Sequence, residues 1–522
     1  MEELNGRRVL CVSPKYVPSF GTFEYAYELM KGVKAFMPPQ GLLVIAASVP
    51  ASWEVRFVDE NIKPASQADF AWAEVVFVSG MHVQRRQIHN IGRRAHGAGR
   101  PAVLGGPSVS ACPAYYPDFD YLHLGELGDA TTALFARLAS DCSRPDAQVV
   151  FANRERRPLR EFPTPAYPLA AVDRYFLGSI QFSSGCPYQC EFCDIPGLYG
   201  RVPRLKAPDQ ILGELDTLLE LGLQNSAYFV DDNFIANRRA VKELLPRLVA
   251  WQRARGYPIS FACEATLNIA RAPDLLAMMR EAAFETVFCG VETPEPQALT
   301  AIAKSHNMMV PILEAVETLN RYGMEVVAGI IVGLDTDTSE TGLRILEFVE
   351  ASRIPMLTIN LLQALPKTPL WERLARAGRL VDDESRESNV KFLLPYEAVV
   401  GAWRETMERA YAPAALYARF DHQIAHTYPN RIRRRAVRWV DLQKGLGLAA
   451  RLVWDLGVAS DFRRDFWAFA WPKVKRGQIE PLIQAGLVSR HLIRFARAAA
   501  AGATNASHYS ARLREPLAMA AE

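Results

Sequence analysis

Short apolar stretches alternate with amphipathic ones through the first part of the chain, and each apolar stretch ends near a Gly, Pro, Ser or Asp. This punctuation is typical of strands that leave a sheet. The predicted strands are Arg8–Val12, Glu54–Val58, Val75–Ser79, Ala102–Leu104 and Tyr121–Leu124. Strands that alternate with helical segments favour an α/β fold, so residues 1–140 are predicted to form a doubly wound, Rossmann-like parallel sheet.

Residues 141–178 are rich in Pro, Arg and Asp and lack clear periodicity, which predicts a linker or an ordered connection. Residues 179–378 then repeat a strand and a helix about six times. Six units are fewer than the eight of a full barrel, so we predict a partial, open (β/α)6 barrel. The predicted strands are Ser179–Ser183, Ala227–Val230, Ser260–Cys263, Thr286–Cys289, Val326–Ile331 and Thr358–Leu362.

One helix of this region is well marked in the sequence. Pro208 lies in its first turn, a leucine-rich apolar stripe follows, and Gly222 comes just after its end. Residues 379–522 lose the strand signal and are predicted to be mainly helical.

The composition, 49% hydrophobic and 22% charged residues, is that of a globular protein. The sequence has no apolar run of about 18 residues and no apolar signal core near its start, so we expect no transmembrane helix and a cytoplasmic location. The net charge of +3 is unevenly spread, because residues 411–522 contain 18 Lys and Arg against 8 Asp and Glu. A basic C-terminal region favours contact with something acidic.

Three interpretations of this basic region stay open. Arginine and lysine beside tryptophan suit a peripheral site on the inner face of an anionic membrane. A helical cap with buried tryptophans and a solvated basic face is equally compatible, and a nucleic-acid site lacks a recognised motif. The residues concerned are Arg431, Arg433, Arg434, Arg435, Arg438, Trp439, Trp454, Trp467, Trp471, Lys473, Lys475 and Arg476.

Ligands of open parallel sheets bind outside the carboxyl ends of the strands. In the first domain these ends contain small residues and glycines, which permit close backbone approach to a ligand. Ordinary strand-to-helix turns are the alternative explanation. The segments are Ser79-Gly80-Met81, Gly105-Gly106-Pro107-Ser108 and Gly125-Glu126.

Three clustered cysteines follow the first predicted barrel strand. Cys186, Cys190 and Cys193 have the spacing C-x3-C-x2-C, and Gly185 and Pro187 favour the tight backbone that close thiolates need. Iron–sulfur clusters are held by thiolates, usually four, so three ligands leave one iron of a cubane open for chemistry. A zinc site needs a fourth ligand, and no histidine is near in sequence. The other five cysteines are scattered and are interpreted as small buried thiols.

The cysteine motif resembles that of the radical S-adenosylmethionine (SAM) superfamily over residues 179–378. The resemblance implies that the open iron binds SAM and that an electron from the cluster releases a 5′-deoxyadenosyl radical. It also implies a reductant of the flavodoxin or ferredoxin type. Residues that resemble the SAM-contacting positions of the family are Phe192, Asp231, Asn233, Glu264, Gly290, Glu292, Gly329 and Gly333.

A doubly wound domain before such a barrel resembles the cobalamin-binding branch of these methyltransferases. The resemblance implies that the strand-end segments around Ser79, Gly105 and Gly125 bind cobalamin. The sequence lacks the Asp-x-His-x-x-Gly loop that supplies a histidine to cobalt, so the lower ligand of the cobalt stays open; a lone His82 is more often structural. The family mechanism implies that two SAM molecules are consumed for each methyl group added.

Further stretches resemble the bacterial hopanoid C-2 methyltransferases along nearly the whole chain. They include Phe20-Gly-Thr-Phe23, residues 33–43, residues 105–112 and residues 466–473. The substrate class rests on this resemblance alone. The alternatives are another cobalamin-dependent radical SAM enzyme that methylates or cyclises a different natural product, and a sensor without catalytic activity, which would not need an open iron.

Overall fold

The computed structural model describes residues 6–383, 385–432 and 439–502 of the 522-residue chain. Its first part contains the strands β1 (Arg8–Ser13), β2 (Glu54–Asp59), β3 (Val75–Ser79), β4 (Ala102–Gly105), β5 (Tyr121–Leu124) and β6 (Val149–Ala152). They form one parallel sheet in the order β2-β1-β3-β4-β5-β6. The predicted doubly wound architecture is therefore confirmed.

Side chains along the central strands point alternately to the two faces of this sheet, so a hydrophobic core lies on each face. Leu10 and Val12 of β1 belong to one core, whereas Val9 and Cys11 belong to the other. Strands buried on both faces are near-continuous apolar runs, which is why they are visible in the sequence. The helices of this part are α1 (Glu24–Tyr27), α2 (Gln40–Ser48), α3 (Gln67–Trp72), α4 (Arg85–Gly97), α5 (Pro107–Ala111) and α6 (Asp129–Ser140).

Residues 141–178, for which the sequence predicts a linker or an ordered connection, contain a sixth strand that the sequence did not predict. β6 lies in that segment and pairs in parallel with β5 at the edge of the sheet. Its burial alternates between half-buried and exposed positions, so it lacks the continuous apolar signal of a central strand. Short 3-10 turns complete the connection to the second domain.

The second part forms the predicted partial barrel. Its strands are β7 (Gly178–Ile180), β8 (Ser183–Ser184), β9 (Arg204–Leu205), β10 (Ser226–Phe229), β11 (Ser260–Glu264), β12 (Phe284–Glu292), β13 (Glu325–Val332) and β14 (Met356–Leu361). Six of them form a parallel sheet in the order β14-β13-β12-β11-β10-β7, whereas β8 and β9 form a small antiparallel ribbon. β7 and β14 are thus the two edges of the open barrel.

The barrel helices are α7 (Ile195–Leu198), α8 (Pro208–Glu220), α9 (Arg238–Arg255), α10 (Pro273–Glu281), α11 (Pro296–Ala301), α12 (Ile312–Arg321) and α13 (Thr341–Ser352). α8 is the helix that Pro208 and Gly222 predict. On the helix-facing side of the barrel sheet, Phe229 packs against Phe261 and Phe284 at ring-centroid distances of 5.5 Å.

The remaining described residues are mainly helical, as predicted, and share one hydrophobic core with the barrel. The helices are α14 (Pro369–Arg376), α15 (Tyr396–Ala410), α16 (Pro413–His426), α17 (Trp439–Leu452), α18 (Arg463–Lys475) and α19 (Ile479–Ala500), with a π-helical segment at Val453–Ala459. α15 covers the edge strand β14, because the Trp403 indole donates a hydrogen bond to the Ile359 carbonyl. Among the described helices, none has the length and apolarity that crossing a bilayer requires.

Candidate active site between the two sheets

The cysteine loop leaves the barrel at the carboxyl end of β7 and is held on several sides. Its Cys186 N–H donates to the Gly200 carbonyl at 3.2 Å, and the Glu191 N–H donates to the Ile302 carbonyl at 3.0 Å. Gly185 has a φ of +99°, and a Cβ there would lie 2.9 Å from the Gly200 carbonyl oxygen. A glycine at this position lets the loop turn back on itself directly before the first cysteine.

The three thiols are half-buried and free of disulfides. Burial raises the pKa of Cys186, Cys190 and Cys193 above the ordinary value of a thiol. Burial therefore disfavours the thiolates, whereas the nearby Lys304 ammonium favours those of Cys186 and Cys190, and a bound metal would stabilise all three.

The donor set fits a cubane better than a single ion. The loop carries three thiols within eight residues. In a cubane each thiolate binds a different iron, so three cysteines match a cluster in which one iron is left without a protein ligand.

An acidic edge lies next to this loop at the ends of β10 and β11. Asp231 accepts hydrogen bonds from the backbone N–H groups of Phe182 and Ser183, and Asp232 accepts one from Gly185 at 2.7 Å. Burial raises the pKa of Asp231 to about 7 and that of Asp232 to about 6. Asp231 thus fixes the start of the cysteine loop, a role that the sequence did not predict for it.

Glu264 and Asn233 complete the acidic edge. Burial raises the pKa of Glu264 to about 7, and the Tyr228 hydroxyl donates to its carboxylate at 3.4 Å. Asn233 is buried, and its amide forms a hydrogen bond with the Cys186 thiol that favours the thiolate. Buried carboxylates beside the cysteine loop suit a ligand that carries ammonium and sulfonium groups, as SAM does.

Two other predicted SAM contacts have partners inside the protein. Glu292 forms a buried ion pair with Lys304, whose ammonium lies 5.5 Å from the centre of the Phe192 ring. Burial opposes the charge of Lys304, but Glu292 and the nearby Cys190 outweigh it and raise the pKa of Lys304. A Cβ on Gly290 would overlap this pair, so the glycine provides room for it.

The two glycines at the end of β13 also have structural partners. Gly333 N–H donates to the Asp337 carboxylate at 2.7 Å, and a Cβ at Gly333 would lie 2.5 Å from the Phe392 ring. At Gly329 a Cβ would lie 3.3 Å from the Phe288 ring. The Gly333 N–H, at a position that resembles a SAM contact, therefore already has a hydrogen-bond partner inside the protein.

The carboxyl edge of the first sheet is lined by glycine and exposed apolar side chains. Gly106 has a φ of +94°, and a Cβ there would lie 2.4 Å from the Ser79 hydroxyl and 3.3 Å from the Gly80 nitrogen. Met81 is 51% exposed and Val83 is 44% exposed, although both are apolar. A bare, apolar edge fits a large flat cofactor such as cobalamin.

Three of the predicted cobalamin contacts are engaged within the protein. Ser108, which follows Pro107 in α5, is buried and shares hydrogen bonds with His82 at 3.0 Å and Tyr116 at 2.5 Å. Gly125 N–H donates to the Ser110 hydroxyl at 2.9 Å. Glu126 accepts a hydrogen bond from Ser184 at 3.0 Å and forms an ion pair with Arg204.

These contacts bring the carboxyl edges of the two sheets together. His82 Nε2, beyond β3, lies 3.8 Å from a carboxylate oxygen of Asp194, the residue after the last cysteine. Glu126 joins the end of β5 to the β8–β9 ribbon, and Lys367 donates to the Ser110 carbonyl from beyond β14. The cysteine loop therefore faces the glycine-lined edge of the first sheet.

The sequence missed several residues of this arrangement. Lys304 lies in a short loop with no motif, and its partner Glu292 precedes it by 12 residues. His82 and Asp194 are far apart in sequence and meet only because the sheets face each other. No local pattern signals such contacts.

The basic C-terminal region also needs a correction. Arg431 is paired with the carboxylates of Glu285 and Glu325, and Lys473 is buried and paired with Asp421. These two residues stabilise the helical packing and do not belong to a basic surface. Arg433, Arg434, Arg435 and Arg438 lie outside the described residues, as does the side chain of Trp439.

Three families match successive parts of the chain. A B12 binding domain matches residues 29–135, the radical SAM superfamily matches residues 180–349, and a domain of unknown function (DUF4070) matches residues 368–505. The chain thus combines a B12-binding domain with a radical SAM domain, whose cofactors are cobalamin, a [4Fe-4S] cluster and SAM.

Relatives of known name are similar over most of their lengths. The chain is 59% identical to the hopanoid C-2 methylase of Rhodopseudomonas palustris (strain TIE-1), over 98% of this chain and 97% of that protein. It is 23% identical to the bacteriochlorophyllide d C-12(1)-methyltransferase of Chlorobaculum tepidum, over 73% of this chain and 81% of the relative.

Two solved structures share the fold. The cobalamin-dependent SAM radical enzyme OxsB, with aqua-cobalamin and SAM bound, has a TM-score of 0.58 at 14% identity and covers 95% of this chain and 81% of its own. The radical SAM methyltransferase TsrM from Kitasatospora setae, with cobalamin and a [4Fe-4S] cluster bound, has a TM-score of 0.56 at 15% identity and covers 95% of this chain and all of its own. From its two cofactor domains and its 59% identical relative, the chain belongs to the hopanoid C-2 methylase family of cobalamin-dependent radical SAM methyltransferases.

Proposed function

We propose that this protein adds a methyl group to C-2 of a hopanoid. The observation that carries the proposal is the 59% identity to a hopanoid C-2 methylase along 98% of the chain. The facing edges of the two sheets support it, because methylation of an unactivated carbon needs two cofactors within reach of one substrate atom.

Cys186, Cys190 and Cys193 are proposed to hold the cluster. When bound, the cluster with SAM supplies a carbon-centred radical, and cobalamin supplies the methyl group. The protein contributes position: Asp231 fixes the start of the loop, and Glu191 joins it to α14 through ion pairs with Arg373. Positioning of this kind is the main contribution of a protein to cofactor chemistry.

The acidic edge is proposed to bind the charged part of SAM. Asp232, Glu264 and Asn233 are buried or nearly so, and the two carboxylates attract a cation more strongly where water is excluded. The aromatic ring of Phe192 is proposed to contact the adenine. The glycine-lined edge at Ser79–Met81 and Gly105–Gly106 is proposed to bind cobalamin.

A reductant of the flavodoxin or ferredoxin type is proposed to supply the electron. The exposed Arg201, in the loop between the cysteines and β9, would attract an acidic partner. Opposite charges speed the encounter of two proteins.

A peripheral membrane contact is proposed for the surface formed by the π-helical segment and α18. Trp454 is 66% exposed and Trp471 is 54% exposed, and Val453, Val458 and Val474 are exposed nearby. Arg463, Arg464, Lys475 and Arg476 are exposed on α18 and just after it. Exposed tryptophan beside basic residues is typical of proteins that lie at an anionic bilayer surface. We call this surface the tryptophan surface.

The function is tested with anaerobically reconstituted protein, SAM, a reductant and a hopanoid in vesicles, followed by mass spectrometry of the lipids. We expect a product heavier by one methylene and methylated at C-2. Cys190→Ala should lose both the iron and the product, whereas Cys142→Ala, outside the loop, should keep both. A product methylated elsewhere, or methylation of a different class of molecule only, would refute the substrate assignment.

A further inference from the structure

A cluster of half-buried aromatic rings lies on the segment between β1 and β2 and directly before β7. Phe23, Phe36 and Phe176 contact one another, Tyr25 joins them through the ring of His491, and we call Phe23, Tyr25, Phe36 and Phe176 the aromatic cage. The ring of Phe23 stacks on that of Phe36 at 5.6 Å and lies 6.4 Å from that of Phe176. Phe23 has a φ of +52°, a left-handed backbone that is uncommon for an aromatic residue and is often found at functional sites.

A buried tyrosine hydroxyl without a hydrogen-bond partner among the described residues lies next to this cluster, near Tyr16 and Glu24. Tyr27 is 92% buried by side-chain packing, since only 8% of it is exposed, and its ring lies 6.1 Å from that of Phe176. Its hydroxyl has no hydrogen-bond partner in the part of the chain that the structure describes. Buried hydroxyl groups are normally hydrogen-bonded, so a buried hydroxyl without a partner is available to a polar group of a bound ligand.

The segment that contains Phe23 and Phe36 crosses the open side of the partial barrel, between its edge strands β7 and β14. At one end, the Phe176 N–H donates to the Ala35 carbonyl at 2.9 Å, just before the edge strand β7. At the other, Phe20 stacks on Tyr411 at 5.2 Å, and the Tyr411 hydroxyl bonds to Leu357 of the edge strand β14. The cage therefore lies at the opening between the two edges.

The same segment starts at the carboxyl edge of the first sheet. The Gln84 amide, beyond β3, donates to the Pro14 carbonyl at 2.8 Å, and the Tyr16 N–H donates to the side-chain oxygen of Asn61, beyond β2, at 2.7 Å. A ligand in the cage thus lies beside the segment that leads to the proposed cobalamin edge.

The cage is also joined to the tryptophan surface. Arg451 of α17 donates to the Leu29 carbonyl, just after α1, at 2.8 Å. Arg490 of α19 bridges Glu28 and Asp455, and Asp455 is next to Trp454. An apolar molecule that leaves a bilayer at the tryptophan surface would meet the cage first.

We propose that the aromatic cage binds the apolar rings of a triterpenoid, and that the Tyr27 hydroxyl donates a hydrogen bond to a polar substituent of that molecule. This inference rests on the proposed function, from which the substrate class is taken. Flat aromatic rings cover fused alicyclic rings with little loss of rotamer entropy, and one hydroxyl gives them orientation.

The test measures direct binding to the holoenzyme. Two tritiated hopanoids are delivered from cyclodextrin, one a hydrocarbon and one with a terminal hydroxyl, and the retained label is measured after gel filtration. We expect Phe36→Ala and Phe176→Ala to weaken the binding of both hopanoids at least about tenfold, the usual scale for a large aromatic contact. Tyr27→Phe should weaken the binding of the alcohol about fivefold and leave that of the hydrocarbon unchanged.

Matched variants separate binding from folding. Phe151→Ala removes a half-buried ring from β6, at the far edge of the first sheet, and should bind both hopanoids like the unmodified protein. Phe176→Leu keeps most of the apolar volume and should show an intermediate loss. Iron content, cobalamin content and release of 5′-deoxyadenosine without hopanoid should be unchanged in all variants.

The possible failures are distinguishable. If the unmodified enzyme methylates a hopanoid but the cage variants bind both probes normally, the aromatic cage is not the binding site and the proposed function stands. If Tyr27→Phe weakens the binding of both probes equally, the hydroxyl has no recognition role. If the enzyme binds hopanoids through the aromatic cage but does not methylate C-2, the proposed function is wrong and the binding site is confirmed. If the unmodified enzyme retains neither probe, both are wrong.

Discussion

At the scale of single residues, the cysteine loop lies beside a buried ion pair. Lys304 and Glu292 are each less than 10% exposed and form an ion pair next to Phe192 and Cys190. A buried pair is stable only while both partners remain, since either charge alone would be desolvated without compensation. The pair therefore holds the wall of the candidate SAM site in one arrangement.

This pair gives a prediction on stability. Lys304→Met should lower the free energy of unfolding by about 3–5 kcal/mol, because Glu292 remains buried without its partner. The double variant Lys304→Met with Glu292→Gln should recover much of that loss. Urea unfolding measures both, and a single variant as stable as the unmodified protein would contradict the assignment.

The acidic edge predicts how SAM binding changes with pH. The pKa of Glu264 is raised to about 7, so its carboxyl loses a proton as the pH rises from about 6 to 8. The ionised form attracts the permanent positive charge of the sulfonium, so the affinity for SAM should rise severalfold across this range.

The measurement is equilibrium binding of SAM to the reconstituted protein between pH 5.5 and 8.5. Glu264→Gln should weaken binding at pH 8 and flatten the pH dependence, whereas Glu220→Gln, exposed at the end of α8, should change neither. An affinity that falls as the pH rises would contradict the proposed role of the acidic edge.

Some of these residues were visible in the sequence and others were not. The three cysteines and the turn at Gly185 are predictable because the chemistry needs them at fixed short spacings. Asp231 was predicted to contact SAM as a strand-end acid, whereas its hydrogen bonds from Phe182 and Ser183 depend on the neighbouring strand and could not be predicted. Lys304 could not be predicted from the sequence, because it meets Glu292 and Phe192 only in the folded chain.

At the scale of elements, the edge of the first sheet depends on how closely the ends of β3 and β4 approach. Gly106 lies where a side chain would strike Ser79 and Gly80. The edge stays bare for this reason, and the proposed cobalamin site depends on it.

Gly106→Ala should therefore reduce cobalamin binding by at least about tenfold, because the methyl group displaces the end of β3. Gly99→Ala is the matched control: its φ of +70° imposes a similar backbone strain, but no atom lies within 4 Å of the added Cβ. Equilibrium dialysis with hydroxocobalamin measures the affinity. Equal losses in the two variants would show that backbone strain alone is responsible.

Strands buried on both faces were predictable from their apolar runs, and their observed bounds differ from the predicted ones by a few residues at most. β6 was missed because an edge strand with only partial burial has no such run. β12 is longer than predicted, since it extends from Phe284 to Glu292 through positions that alternate in burial.

At the scale of the whole molecule, the relation between the two sheets could not be read from the sequence. Each domain has its own pattern, but the contacts of His82 with Asp194 and of Glu126 with Arg204 arise from domain packing. The C-terminal helices likewise share the core of the barrel, so the tryptophan surface is held at a fixed place beside α1.

The tryptophan surface predicts vesicle binding. Protein mixed with anionic vesicles should float with them in a density gradient, and less so at high salt, because exposed basic residues contribute. The double variant Trp454→Ser with Trp471→Ser should bind about tenfold more weakly, whereas Leu343→Ser, an exposed apolar residue on α13, should bind normally. Unchanged flotation of the double variant would contradict a membrane contact at this surface.

The most direct test of the account is the stoichiometry of SAM use during hopanoid methylation under anaerobic conditions. Two SAM molecules should disappear for each methyl group added, one as 5′-deoxyadenosine and one as S-adenosylhomocysteine, and Cys190→Ala should give neither product. One SAM per methyl group, with S-adenosylhomocysteine as the sole nucleoside product, would contradict a radical route through the cysteine loop.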